Sequence, residues 1–166
     1  MSKVKKRSFV ATKNIKTSYA EWLNSFEWDY FVTLTTHYEL TLKSARRLVE
    51  RWHERMRKHD FEPVLFWVAE RFEIKDGYHI HGLLKLNRKL KKHEFIFITE
   101  LYQIVSGACS VNDLTSTINN KEKRKKLSWN RIDLSRYLES KNGGAYCTKY
   151  VLQEQQNKLA EYDIII

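Results

Sequence analysis

Residues 64–86 read VLFWVAERFEIKDGYHIHGLLKL. Two runs rich in β-branched, aromatic and aliphatic residues, Val64 to Phe72 and Tyr78 to Leu86, flank Asp76 and Gly77, and an Asp-Gly pair in that setting predicts a β-hairpin. Side chains alternate along an extended strand, so His79, His81, Leu83 and Lys85 fall on one face while Ile80, Leu84 and Leu86 fall on the other. Both imidazoles can then converge on one ion. Glu70, on the preceding arm, can add a carboxylate across the turn, with Glu73 as the reserve. Two nitrogens and one oxygen with positions left open suit Mn²⁺ or Mg²⁺ in phosphate chemistry, although Zn²⁺, Co²⁺ or Ni²⁺ can also bind such a set. The plainer alternative is a solvated or hydrogen-bonded strand face.

Upstream of the hairpin, Tyr30 to Thr35 has the composition of a strand. Thr41 is a candidate cap for a helix in which Leu42, Ala45, Leu48, Val49, Trp52 and Met56 recur with helical period. A short helix precedes these, with Ser18 and Glu21 in a capping-box pattern and Tyr19, Trp22, Leu23 and Phe26 on one side. Downstream, a second amphipathic helix is expected from about Lys92 to Val105 and a last strand over Leu127 to Leu134. The Asn142-Gly143-Gly144 break then introduces a helix from about Ala145 to Lys158. The order strand, helix, strand, strand, helix, strand predicts an α+β fold: an antiparallel sheet with its helices packed mostly on one side, leaving sheet surface for a site.

The chain has 166 residues, 42% of them hydrophobic, which fits one globular domain over residues 17–166 preceded by a basic arm over residues 1–16. Its net charge of +10 favours polyanionic partners, nucleic acid ahead of an acidic membrane. Neither a signal peptide nor an apolar run long enough to span a membrane is visible, so an intracellular, soluble protein is expected. Cys109 and Cys147 are the only cysteines and form no CxxC pair, which removes zinc-ribbon and disulfide-framework readings.

Tyr146 and Tyr150 stand four apart, one turn above each other on a helix, with Lys149 beside them. A phenol with a pKa of about 10 needs help to act as a nucleophile, and Lys149 can stabilise phenolate or the charge developing on a phosphate. The alternative is an aromatic stripe packing the helix onto the sheet. Thr33 and Thr35 can line the floor beneath a DNA strand, or serve only as strand residues. His37 and Lys85 are candidate phosphate contacts, as are Lys123, Arg124 and Lys125 in the basic run over 121–126, whose plain reading is a solvated loop.

Three segments of this chain resemble the motifs of the HUH single-stranded DNA endonucleases, the family of rolling-circle replication initiators, relaxases and related transposases. Phe31 to Thr36 is similar to the first motif, Lys75 to His81 to the second and Ala145 to Val151 to the third, and the likeness spans roughly residues 30 to 153. The resemblance implies a ferredoxin-like sheet with the histidine pair on a central strand and the nucleophilic helix nearby. It also implies nicking and joining of single-stranded DNA through a 5′-phosphotyrosyl link that frees a 3′-hydroxyl, in a plasmid or phage replicating in the cytoplasm of a prokaryotic host. Single-tyrosine members place a lysine three residues after the tyrosine, the spacing of Tyr146 and Lys149, whereas Tyr150 has Gln153 at that position. The length leaves no room for a helicase domain, so a host helicase is the expected partner. A transposase or relaxase of the same chemistry is the near rival, and a noncatalytic RRM-like module binding single-stranded nucleic acid is the distant one.

Overall fold

The computed structural model describes residues 17–107, 132–138, 143–151 (backbone alone at 149–151) and 162–166. In chain order these form α1 (residues 17–24), β1 (Tyr30–Leu34), α2 (Leu42–Arg57), β2 (Val64–Arg71), β3 (Tyr78–Lys85), α3 (Lys92–Val105), β4 (Ile132–Arg136), α4 (Gly143–Val151) and β5 (Tyr162–Ile165). The five strands make one antiparallel sheet in the order β4-β1-β3-β2-β5. The expected ferredoxin-like arrangement is therefore present, widened by an edge strand that the sequence pattern did not predict.

The hairpin turns where Asp76 and Gly77 stand, and Gly77 has φ 92°, a conformation that costs a residue without Cβ little. The tip is anchored from the side, because Tyr78 N donates to Leu40 O at 3.1 Å. Helix α2 starts at Thr41 as expected: the Thr41 hydroxyl accepts from Ser44 N while Ser44 Oγ accepts from Thr41 N, a reciprocal cap worth about 1 kcal/mol. Helix α1 already includes Thr17, so Ser18 lies within it rather than capping it. The expected strand over 127–134 is seen as β4, shifted toward the C-terminus, with residues 127–131 outside the described residues.

Alternation divides the sheet into two chemically different faces. Tyr30, Val32, Leu34, Leu65, Trp67, Ala69, Ile80 and Leu84 pack against Leu48, Val49, Trp52 and Met56 of α2 and Ile98, Leu101 and Tyr102 of α3 to form the main core. The opposite face carries a smaller cluster in which Phe66, Val68 and Leu83 meet Leu23 of α1, Trp28 and Cys147 of α4. The two long helices thus share one side, and the two short ones cover part of the other. Among the described residues no helix is long and apolar enough to cross a membrane.

Candidate metal centre and adjoining phenol

The register fixes which groups meet on the less covered face. Glu70 of β2 pairs with His79 of β3, and His81 lies between Val68 on one side and Thr33 of β1 on the other. Glu70 Oε2 stands 3.0 Å from His79 Nε2 and 2.9 Å from His81 Nε2, and all three side chains are largely buried. Ligand atoms from these three residues lie within 4.8 Å of one another. Glu73, the reserve carboxylate, is exposed and takes no part in the cluster.

Two features orient the imidazoles. Thr33 Oγ1 lies 3.1 Å from His81 Nδ1, and a proton on Nδ1 shared with that hydroxyl leaves the Nε2 lone pair facing Glu70. Phe72 stacks on His79 with ring centroids 4.7 Å apart and planes 30° apart, and Lys75 Nζ sits over the outer face of Phe72 at 4.1 Å. Burial lowers the His79 pKa from its usual value, outweighing the opposing pull of the Glu70 carboxylate, which favours the neutral form that ligation requires.

This donor set fits a divalent cation. Glu70 Oε2 is buried, with both imidazole Nε2 atoms within 3.0 Å of it. A carboxylate so enclosed is costly unless a positive charge compensates it, and a cation held by all three residues would supply that charge. Mixed nitrogen and oxygen donors of this kind can hold a divalent metal ion.

Helix α4 brings its phenol to the same face. The Tyr146 ring lies 5.0 Å from the His81 ring at 83° and 5.9 Å from Phe31 at 80°, and Tyr146 is 42% exposed. Its neighbour Cys147 lies in the small core on the same sheet face, where burial pushes the thiol up to about 12; it packs and does not react. The side chains of Lys149 and Tyr150 lie outside the described residues, as do Lys123, Arg124 and Lys125.

Of the remaining sequence candidates, Thr33 touches the cluster directly, whereas Thr35 lies past the end of β1 and its carbonyl accepts from Tyr102 Oη at 2.7 Å. His37 is exposed, edge-on to Tyr38. Lys85 sits half-buried at the far end of β3 on the histidine face. Sequence reasoning missed Phe31 and Phe72, the rings that brace the imidazoles and Tyr146; their alternation with the site residues was the available signal. It also missed a cleft of about 320 Å³ beside Tyr146, to which β4 contributes.

The family model for the Replication-associated protein ORF2 family matches residues 29–155, a span that holds β1 through α4 and every residue of the cluster. No curated protein and no solved structure matches the chain.

Proposed function

The chain belongs to the Replication-associated protein ORF2 family, a family of rolling-circle replication initiators that act on DNA, and from that membership we propose that it nicks and rejoins single-stranded DNA through a covalent tyrosine intermediate. The observation that carries the reading is the placement of Tyr146 beside His81, on the sheet face where Glu70, His79 and His81 converge. In the forward step Tyr146 Oη bonds to the scissile phosphorus as the bond from phosphorus to the 3′ oxygen breaks. The phenol proton passes to water, and the 3′ oxygen takes one up as it leaves. The energy of the broken phosphodiester is kept in the phosphotyrosyl bond, so the reverse attack by a 3′-hydroxyl rejoins strands.

Glu70, His79 and His81 would hold Mn²⁺ or Mg²⁺, which when bound polarises the phosphate and makes a weak nucleophile sufficient. Thr33 holds the His81 ring in its ligating orientation. Lys149 stabilises the charge that develops near Tyr146, and Tyr150, one turn along α4, is the candidate for a second strand transfer. Thr35, His37, Lys85 and the run containing Lys123, Arg124 and Lys125 supply further DNA contacts. The substrate is a single-stranded origin or hairpin site of a plasmid or phage, opened by a host helicase in the cytoplasm of a prokaryotic host.

Incubating the protein with a pool of single-stranded oligonucleotides and Mn²⁺ tests this reading. A denaturation-resistant protein–DNA adduct is expected, absent without metal and absent in Tyr146→Phe, which should still bind DNA. Adduct persisting in Tyr146→Phe would move the nucleophile elsewhere, and no adduct from the unaltered chain on any oligonucleotide would overturn the activity.

A further inference from the structure

The cleft beside Tyr146 adjoins the metal centre and the phenol and shares His81 and Tyr146 with them. It is lined by Phe31 and Thr33 of β1, His81 of β3, Ser135 and Arg136 of β4, Tyr137 and Leu138 after it, and Gly143 and Tyr146 of α4. The register explains why these meet: Phe31 pairs with Ser135 and Thr33 with Asp133, so the exposed side chain of Ser135 stands next to the Phe31 ring on the site face. At the base α4 comes close to the sheet, where a Cβ on Gly143 would stand 2.7 Å from Tyr137 Cε2 and 3.2 Å from Phe31 Cδ2. Tyr137 itself is held in place, its backbone N donating to Asp29 O at 2.8 Å and its hydroxyl to Asn24 Oδ1 at 2.9 Å.

From this we infer, resting on the reading above, that the cleft is a base-binding subsite that takes the unstacked nucleobase next to the scissile phosphate. Aromatic rings of Phe31, Tyr137 and Tyr146 beside the polar groups of Thr33, Ser135 and Arg136 suit a flat, apolar-faced ligand with a polar edge, and the volume is that of a small-ligand site. A nucleobase is such a ligand, and bases of single strands bind by stacking on aromatic side chains. Position narrows the choice further. Tyr146 and His81 form part of the lining, so a nucleotide whose phosphate is attacked by Tyr146 Oη has an adjacent base within reach of the cleft. A second cleft, lined by Tyr38, Ser44, Arg47, Glu50 and Arg51 at α2, offers no comparable continuity with the reacting groups.

The test uses an oligonucleotide recovered as an adduct, with the nucleotides on either side of the cleaved bond replaced in turn by an abasic analogue. For the unaltered chain, one of the two replacements should slow adduct formation about tenfold or more. Ser135→Phe, on an exposed edge-strand position, should fill the cleft, slow cleavage of the intact oligonucleotide by a similar factor, and remove the difference between intact and abasic DNA while leaving Mn²⁺ affinity unchanged. If Ser135→Phe loses Mn²⁺ binding, Leu138→Trp, at an exposed position on another wall, replaces it and should behave in the same way. Tolerance of both abasic replacements by an adduct-forming chain, or full discrimination retained in the cleft-filling variant, overturns the subsite alone. Absence of any adduct overturns the activity and the subsite with it.

Discussion

Glu70 shows how much of the site depends on one oxygen. Its Oε2 faces both imidazoles in a largely buried position, where a bound cation would be shared by all three side chains. The His79 and His81 pair was legible in the sequence because strand alternation alone puts both rings on one side. The partnership of Thr33 with His81 was not, since it requires the register between β1 and β3, and nothing local in either strand fixes that register. Thr33→Val keeps the β-branched shape that suits the strand but removes the hydroxyl next to His81 Nδ1. Outer-shell partners of this kind typically contribute about 10- to 100-fold in metal affinity, so Mn²⁺ affinity measured by isothermal titration should fall by that order with the fold intact. An unchanged dissociation constant would show that the hydroxyl does not orient the ring.

Among elements, α4 carries the proposed nucleophile while β2 and β3 carry the proposed ligands, and that separation has an experimental signature. Periodicity after Asn142, Gly143 and Gly144 predicted the helix but not the face it would cover, because its apolar stripe suits either side of the sheet. What settles the face is the small cluster of Phe66, Val68 and Leu83, which receives Cys147 and leaves the Tyr146 side of the helix toward His81. The edge strand β5 was missed for a related reason: a run as short as Tyr162–Ile165 has no pattern of its own, and its pairing with Leu65 to Val68 of β2 makes it a strand. The hairpin was the opposite case, with two long runs and a turn sequence that agree. Gly143→Ala would push a Cβ against Tyr137 and Phe31 and so lift the start of α4 off the sheet. The expected result is a fall of about tenfold in the rate of adduct formation, the scale of a small misplacement of a reacting group, with Mn²⁺ affinity held. Loss of Mn²⁺ affinity in the same variant would mean that α4 supports the ligands as well as the phenol.

Over the whole molecule, the net charge of +10 does not say where DNA lies, but the two-faced sheet does part of that work. The outer surface of α2 is strongly basic, with Arg47 and Arg51 lining a second cleft together with Tyr38, Ser44 and Glu50. Yet α2 packs on the sheet face opposite the Glu70, His79 and His81 cluster, so its cations act on DNA at the site mainly through long-range attraction. Lys85 projects from the same face as the histidines and can meet a phosphate of the bound strand. For a single strand, each released counterion steepens the dependence of log K on log salt by about 0.7. Raising salt fourfold should therefore weaken binding about 100-fold if some five phosphates are neutralised. Lys85→Gln should make the slope shallower by about 0.7, whereas the Arg47→Gln, Arg51→Gln double variant should slow association at low salt and leave the equilibrium slope nearly unchanged. Fluorescence anisotropy titrations across a salt series would read both. A slope that falls with the α2 pair and not with Lys85 would route the strand over α2, away from Tyr146, and would separate the cationic surface of this protein from its proposed chemistry.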